Sequence, residues 1–291
     1  MVNGCMETTQ KSLWQHVLQR AKAKKNDEFY TSYETVEDAF SRFDFRGRWV
    51  YCPCDDWQKS NIVKWFKNNF SRLGLRHLTA TCFVPNGNGV RFDFDGISEK
   101  VSTLSGDGDF RSKECSDIRD AAGCVATNPP FSLVARFFHS WVRNVDYVYF
   151  AHATVLGCSA PFADFRAKQM RLTRAFHPLY VSPSGEKLNV PSVLVFTLSD
   201  SRPFVFVPFK EYNPDIHPKY DNFDAINIDR LEDFPKDFYG VVGVPSSCCY
   251  KLDRDEFDIV GESRKLRVNG KVKFHRVLLQ KVSRKKLENG K

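Results

Sequence analysis

The sequence predicts an α/β fold built around a mainly parallel sheet. Apolar runs over residues 47–52 and 77–83 have the length and composition of buried strands, and the stretch 60–73 between them has the periodicity of an amphipathic helix. This β-α-β order is the building block of parallel sheets, with a right-handed crossover. Ligands of such sheets bind outside the carboxyl ends of the strands, so the acidic turn at 52–56 lies at the expected crevice.

The composition is that of a globular protein. The chain has 291 residues, of which 42% are hydrophobic and 27% charged, enough for one large core or two lobes. It contains no apolar run of about 18 residues, and its first residues lack the apolar core of a signal peptide. We therefore expect a cytoplasmic protein with no membrane contact.

The cysteines predict neither a disulfide framework nor a metal site. There are nine of them, scattered along the chain, and an odd count at this length is not typical of a disulfide-stabilised fold. Neither Cys52-Pro53-Cys54 nor Cys248-Cys249 has the spacing of a structural zinc site. We expect reduced thiols and no required metal.

Positive charge is concentrated at the C-terminus. The formal net charge is +8, and residues 261–291 hold eleven Lys or Arg against two Glu, a net +9 that leaves −1 for the first 260 residues. A basic terminus on a nearly neutral body indicates either a polyanionic partner or a solvated tail that aids solubility. The charge alone does not choose between them.

In the first half of the chain, helices and strands are expected to alternate. An N-terminal amphipathic helix is predicted over 12–25, and a second helix runs to about residue 43 with Thr31 or Ser32 as its cap. The alternation at 90–94 predicts a strand. The glycine-rich stretch 105–110 is interpreted either as a ligand loop, with one Asp accepting from an adenine or ribose and Phe110 stacking beside it, or as a plain acidic turn.

The second half is expected to contain more strand and more positive charge. Residues 146–150 predict a strand, 161–176 a basic helix, and 190–198 with 204–209 two further β-runs. The stretch 211–250 has no clear period and is interpreted either as a loop-dominated module or as an irregular recognition region. Residues 266–274 predict a hairpin, because Asn-Gly suits a type I′ turn.

The segment Thr127-Asn128-Pro129-Pro130-Phe131 is the main candidate for chemistry. It joins the small apolar run 121–126 to an amphipathic helix at 132–142, and its two prolines make it locally stiff. The Asn128 side-chain carbonyl, the Pro129 backbone carbonyl and the Phe131 ring supply two acceptors and a stacking plane, which suit the amino group of a nucleobase. The alternative is an ordinary helix start with Asn128 as N-cap, and the segment alone favours neither.

Taken in order, several segments resemble the EcoRI-type adenine-specific DNA methyltransferases. The matching words are Asp27-Glu28-Phe29-Tyr30-Thr31, Cys52-Pro53-Cys54-Asp55-Asp56, Ser60-Asn61, Gly106-Asp107-Gly108-Asp109-Phe110-Arg111-Ser112, Thr127-Asn128-Pro129-Pro130-Phe131, Lys219-Tyr220-Asp221-Asn222-Phe223-Asp224-Ala225-Ile226 and Gly243-Val244-Pro245. The resemblance covers roughly residues 26–280 and keeps the order of the motifs. The first cofactor loop, at 52–56, lacks the glycine-rich form known from the wider class.

The resemblance implies a Rossmann-like fold that binds S-adenosyl-L-methionine, followed by a C-terminal target-recognition region. Its domains would be an N-terminal helix (1–25), a catalytic domain (26–207) and an irregular recognition region ending in a basic β-ribbon (208–291). The implied catalytic turn is Asn128, Pro129, Pro130 and Phe131. The implied cofactor residues are Tyr30, Thr31, Cys52, Pro53, Cys54, Asp55, Asp56, Asp109 and Phe110.

The resulting hypothesis is transfer of a methyl group to the N6 amino group of adenine in double-stranded DNA, with the base flipped out. The expected phosphate contacts are Arg166, Lys168, Arg171, Arg174, Lys271, Lys273 and Arg276. A prokaryotic or phage-encoded protein, acting as a monomer, is expected. The alternatives are an RNA or protein amine methyltransferase, and a catalytically inactive DNA-binding homologue.

Overall fold

The computed structural model describes residues 30–181, 187–201 and 209–282. The helix predicted at 12–25 and most of the β-run predicted at 204–209 lie outside these ranges. The elements in the first half are β1 (Tyr30–Thr31), α1 (Tyr33–Phe40), β2 (Trp49–Pro53), α2 (Asn61–Asn68), α3 (Phe70–Leu73), β3 (His77–Cys82), β4 (Val90–Phe94), β5 (Glu99–Thr103), α4 (Lys113–Ala122), β6 (Gly123–Thr127), α5 (Phe131–Leu133), α6 (His139–Val142) and β7 (Asp146–His152).

The second half is mostly short strands. Its elements are α7 (Ser159–Arg166), β8 (Arg171–Leu172), β9 (Leu179–Val181), β10 (Lys187–Asn189), β11 (Ser192–Phe196), β12 (Lys219–Tyr220), β13 (Phe223–Asn227), β14 (Val242–Pro245), β15 (Phe257–Ser263), β16 (Arg267–Val268), β17 (Lys271–Val272) and β18 (Arg276–Lys281). Short 3₁₀ turns lie at Val155–Gly157, Leu231–Asp233 and Ser246–Lys251.

The described chain divides into two compact units. Unit 1 contains the residues up to Ala151 together with His177–Pro191, and unit 2 contains His152–Phe176 and the residues from Ser192 onward. The chain therefore leaves unit 1, builds part of unit 2, and returns before completing it. The predicted boundary between catalysis and recognition at residue 207 concerns function and stays a prediction.

Unit 1 is organised on a sheet with strand order β5-β4-β3-β2-β6-β7. β2, β3, β6 and β7 are parallel, and β4 and β5 are antiparallel additions at one edge. The predicted β-α-β unit of β2, α2 and β3 is confirmed. Strand order reverses at β2, which has β3 on one side and β6 on the other, so the carboxyl ends of β2 and β6 open onto one crevice.

Aromatic side chains make up much of the core of unit 1. Phe40, Phe45 and Phe66 pack with ring centroids 4.9–6.3 Å apart, and Trp65 contacts all three. Rings of this size bury large apolar areas and fix helix positions by edge-to-face contacts. They hold α1 and α2 near the carboxyl end of β2, where the acidic turn begins.

The main sheet of unit 2 has five strands in the order β12-β13-β14-β18-β15. β18 pairs antiparallel with both of its neighbours, and its residues Val277 and Leu279 are fully buried. Three of these strands lie within 211–250, but the rest of that stretch is mainly loop, turn and 3₁₀ helix, in agreement with a loop-dominated stretch. Its strands are two to five residues long, too short to give a clear alternating pattern.

Two predictions about local structure in unit 2 have opposite outcomes. The hairpin at 266–274 is confirmed: β16 and β17 pair across Asn269 and Gly270, whose φ values of 51° and 73° are those of a type I′ turn. The helix predicted over 161–176 was wrong beyond its first half, because α7 ends at Arg166.

The chain leaves α7 by a tight turn. Lys168 has φ 62°, its N–H donates to the Phe165 carbonyl, and the Gln169 N–H donates to the Asp164 carbonyl. This is the Schellman arrangement, which ends a helix. Leu172 then pairs with Val195 of β11, so Arg171 lies in a strand and Arg174 in the loop after it. Strand pairing overrode the helical charge pattern.

Candidate active site

The turn after β6 holds Asn128 between a buried strand and a helix. β6 ends at Thr127, Pro129 is buried, and the helix begins only at Phe131, with Pro130 as its flanking residue and no side-chain cap. Asn128 lies two residues before that cap position. The alternative that Asn128 is an ordinary N-cap is therefore wrong.

The helix that follows is irregular. α5 passes into a π-helical segment, Val134–Phe138, before α6. Such segments appear mostly as single turns inside α-helices and frequently lie at functional sites.

Asp55 ties the turn after β2 to the turn after β6. Its carboxylate is 6% exposed and accepts from the Ser60 hydroxyl at 2.6 Å and from the Thr127 hydroxyl at 2.5 Å. The Thr127 hydroxyl also lies 3.1 Å from the Pro53 carbonyl oxygen. Charge-assisted bonds of this kind are among the stronger hydrogen bonds in proteins, so the two turns are held at a fixed spacing.

The first turn of α2 brings β1 to the same place. Ser60 caps the helix, since its hydroxyl oxygen accepts from the backbone N–H groups of Ile62 and Val63 at 3.1 and 3.4 Å. The side chain of Asn61 donates to the Thr31 carbonyl at 2.8 Å.

These contacts shape one open cleft. Among the predicted site residues, it brings together Tyr30 and Thr31, Cys54 and Asp55, and Asn128 and Pro130; Ser60, Asn61 and Ile62 complete the lining. Segments separated by about a hundred residues thus meet at the carboxyl ends of β2 and β6.

The side chains of Cys52 and Asp56, in the turn at 52–56, do not line the cleft, whereas Cys54 does and has an unusual backbone conformation. Cys52 is fully buried in β2, and burial, with the Asp55 and Cys124 charges nearby, raises the pKa of its thiol well above the usual value. Asp56 pairs with Lys59 at 2.9 Å and accepts from the Gln58 N–H. Cys54 has φ 72°, a left-handed conformation that favours glycine. The backbone here adopts the glycine-like turn without a glycine.

The loop carrying Asp109 and Phe110 lies beside the end of β3. Gly108 packs so closely on the Cys82 carbonyl that a Cβ there would lie 2.3 Å from its oxygen. Asp109 pairs with Arg111, and the hydrogen bond from that guanidinium lowers the pKa of the carboxyl. Phe110 is 4% exposed and packs edge-on against Phe138 and Trp141. The cofactor role implied for this pair stays a prediction.

Phe131 faces a residue that the sequence did not single out. Its ring lies 5.5 Å from that of Tyr180, with the two planes at 89°. Tyr180 is fully buried in β9, which pairs with β1 in the register Thr31↔Tyr180. Tyr180 lies near this turn because of a long-range strand pairing, and no local sequence pattern predicts that pairing.

The predicted phosphate contacts in unit 2 differ in their surroundings. Arg166, Lys168, Arg171, Arg174 and Lys271 are exposed. Lys273 and Arg276 instead pair with Asp229, at 3.2 and 2.5 Å, and Arg276 is only 6% exposed. A phosphate contact by Arg276 would require that ion pair to open, so a packing role explains this residue better.

The described ranges contain no group of three or more His, Cys, Asp or Glu side chains arranged to hold a metal ion. The eight cysteines within them are free thiols. Within the same part of the chain, no helix is both long and apolar enough to cross a bilayer.

The cleft lies where the strand order of the parallel sheet reverses, and an acidic turn and a Pro-Pro turn line it. This is the arrangement of α/β enzymes that bind their ligand in the crevice at the carboxyl ends of the strands. The chain belongs to the family described as adenine-specific methyltransferase EcoRI, whose model matches residues 17–103, 84–180 and 163–290. It is an adenine-specific DNA methyltransferase, and the resemblance found in its sequence is confirmed.

Curated relatives match over most of their length. The chain is 30% identical to the Type II methyltransferase M.EcoRI of Escherichia coli, over 91% of this chain and 96% of the relative. It is 29% identical to the Type II methyltransferase M.MpnI of Mycoplasma pneumoniae, over 84% and 85%. A Mycoplasma genitalium relative, M.MgeORF184P, is 25% identical over 84% of this chain and 86% of its own length. No solved structure matches significantly.

Proposed function

We propose that the protein transfers the methyl group of S-adenosyl-L-methionine to the N6 amino group of adenine, at one sequence in duplex DNA. The observation that most directly supports this proposal is that Asn128 lines the same cleft as Tyr30, Thr31 and Asp55. A candidate amine-binding turn and a candidate donor pocket are thus one cavity. The parallel sheet, its reversal at β2 and the crevice also support a Rossmann-like methyltransferase fold.

The cleft suits a donor with a nucleoside and a charged amino acid end. Thr31 is 3% exposed, and its side-chain oxygen has no hydrogen-bond partner within the described ranges. A buried polar atom of this kind is normally satisfied, so it favours a polar ligand there. Tyr30, Thr31, Cys54 and Asp55 would hold the donor, which supplies an electrophilic methyl group on a sulfonium.

The turn would prepare the acceptor nitrogen. An adenine amine is a weak nucleophile, because its lone pair is delocalised into the ring. Asn128 Oδ1 and the Pro129 carbonyl oxygen would accept from its two N–H groups, favour a pyramidal nitrogen and aim the lone pair along the cleft, while the Phe131 ring covers the base.

The transfer needs no strong general base, because the sulfonium is already a good leaving group and the methylated nitrogen can release its proton to water. Both Asp55 oxygens accept hydroxyl hydrogen bonds, which gives this carboxylate a structural role between the two turns. Orientation is then the main contribution of the protein.

The depth of the turn supports the proposal that the base leaves the helix. In a duplex, the N6 amino group lies within a base pair, whereas Pro129 is buried and Asn128 is half-buried. Rotating the nucleotide outward costs a few kcal/mol, which stacking and contacts to the strand would repay.

The test is methylation in a host that lacks adenine methylation, read by sequencing its genomic DNA. The wild type is expected to produce N6-methyladenine at one short sequence, and Asn128→Ala to lower the modified fraction by about 100-fold or more, the usual effect of losing a key transition-state contact. Asn68→Ala is the matched control, because Asn68 is an exposed amide at the end of α2. Equal methylation by Asn128→Ala would contradict the assigned role.

The chemical form of the product separates the alternatives. Digestion and chromatography of nucleic acid from the same cells should give deoxy-N6-methyladenosine. Modified ribonucleoside without the deoxy form would instead indicate an RNA methyltransferase.

A further inference from the structure

A second cavity lies in unit 2, at the end of α7. Arg166, Lys168 and Arg254 line it, together with Asp258 and the strand residues Phe257, Ile259 and Val260. Three cationic side chains against one carboxylate give its lining an excess of positive charge.

Arg254 is the fixed cation of this cavity. Its guanidinium carbon lies 4.4 Å from the centre of the Phe165 ring, and its terminal nitrogen donates to the Phe165 and Arg166 carbonyls at the end of α7. Its Nε is buried and has no hydrogen-bond partner within the described ranges. Burial, with the nearby Arg171 charge, lowers the pKa of this guanidinium.

The surrounding cations are poorly neutralised. Arg166 and Arg171 are exposed and form no ion pair with any described carboxylate. Lys168 approaches Asp255 at 3.7 Å, but that carboxylate is 95% exposed, so water screens the pair. Like charges gathered without counter-charges repel one another, and an anion bound among them would remove that cost.

Lys168 occupies a position where glycine would be the more stable residue. It takes φ 62° at the residue after a Schellman helix end, where a Cβ is strained and glycine is usual. Strain kept at one residue is a reason to ask what its side chain does.

We infer that this cavity, formed by Arg166, Lys168 and Arg254, binds a backbone phosphate of the DNA substrate. The inference rests on the proposed function. Arg254 is held by the ring of Phe165 and by two carbonyls, so it presents a preorganised charge, and the exposed Arg166 and Lys168 side chains contact the phosphate from the rim. Such a contact positions the duplex and carries no sequence information.

The test measures binding of a short fluorescent duplex over a series of salt concentrations. Each phosphate contact contributes about 0.9 to the slope of log affinity against log salt, so Arg166→Gln and Lys168→Gly should each weaken binding and lower that slope, by up to about one if the contact is lost entirely. Lys168→Gly should also keep or raise the thermal midpoint, because it relieves the left-handed strain. Loss of binding by a variant that is at least as stable rules out misfolding as the cause.

Arg76→Gln is the matched control, since Arg76 is exposed at the amino end of β3 and forms no ion pair with a described carboxylate. It should leave both slope and affinity unchanged. Wild-type slopes in Arg166→Gln and Lys168→Gly would overturn the phosphate site while wild-type methylation stands. A wild type that methylates no DNA would overturn the proposed function itself, and the phosphate site with it.

Discussion

At the scale of single residues, Asp93 is the best-connected carboxylate of the sheet in unit 1. Arg91 donates to it through two nitrogens at 2.7 and 3.0 Å, Thr79 donates at 2.7 Å, and His77 lies at 3.0 Å. Burial by itself would raise the pKa of this carboxyl, but the hydrogen bonds from these three residues outweigh burial and lower it. The charged form is therefore favoured in the folded protein.

This lowered pKa predicts acid sensitivity. A group whose pKa falls on folding stabilises the fold above its unfolded pKa of about 3.9, and that contribution disappears as the pH falls through the folded value. Asp93→Asn should cost about 1–3 kcal/mol at pH 7, because polar partners lose their acceptor. It should also lose less stability than the wild type below pH 4.

Urea unfolding between pH 7 and pH 3 measures both effects. Asp117→Asn is the control, because Asp117 forms only an exposed pair with Lys113 and should change stability by less than about 0.5 kcal/mol. A parallel acid profile for Asp93→Asn and wild type would show that this network does not carry the pH dependence.

Cys54 offers a second test at the residue scale. Its φ of 72° costs an L-residue roughly 1–2 kcal/mol, so Cys54→Gly should be neutral or stabilising by up to about 1 kcal/mol once the greater freedom of unfolded glycine is included. Cys54→Val should destabilise by more than about 1 kcal/mol, since a β-branched residue tolerates this conformation worst. Chemical denaturation decides; a valine variant as stable as the glycine variant would exclude strain.

At the scale of elements, the link between the two active-site turns should be measurable. Thr127→Val keeps the shape of the side chain but leaves the buried Asp55 without one donor, at a cost of about 1–3 kcal/mol. Because Thr127 fixes the spacing of the turns, the turnover rate should also fall, by about tenfold or more. Thr103→Val, on the exposed edge strand β5, should change neither quantity. Full turnover by Thr127→Val would mean that the turns are positioned by other contacts.

Two glycines in one loop form a matched pair. A Cβ on Gly108 would lie 2.3 Å from the Cys82 oxygen with φ at +83°, whereas a Cβ on Gly106 meets nothing within 4 Å. Gly108→Ala should therefore cost more than about 2 kcal/mol and weaken donor binding, and Gly106→Ala should stay within about 0.5 kcal/mol. Calorimetry with S-adenosyl-L-methionine measures the affinity. Equal affinities would place the donor away from this loop.

Local sequence patterns predicted the elements that carry their own signals. The strand β2, the helix α2 and the Asn269-Gly270 turn each depend on residues within a few positions of one another, and all three are confirmed. The end of α7 and the strand β14 depend on partners far along the chain. Pairing of Leu172 with Val195 decides the first, and no window of sequence contains both.

The same distinction holds within the candidate site. Asn128 and Asp55 belong to recognisable sequence motifs, whereas Tyr180 lies near the turn only because β9 pairs with β1. Cys54 adopts the left-handed conformation that is usually taken by glycine, so the sequence did not indicate this turn. The residues proposed for catalysis could thus be identified from the sequence more readily than the residues that pack around them.

At the scale of the whole molecule, the two units should respond differently to the donor. S-adenosylhomocysteine, the product form of the donor, should slow amide exchange at 30–31, 54–62 and 128–131, which line the cleft or adjoin its lining residues, and should leave β14, β15 and β18 unchanged. Hydrogen exchange followed by mass spectrometry reports each segment separately. Equal protection in both units, or none at the cleft, would refute the proposed location.

The path of the chain through the two units bears on protein engineering. Residues 152–176 belong to unit 2 although residues on both sides of them belong to unit 1, and β9, which supports β1, is made about 150 residues after it. A chimaera that exchanged only the residues after 207 would combine unit 2 fragments from two parents. Swapping 152–176 and 192–291 together, as two coordinated inserts, is the division that keeps each unit from a single parent.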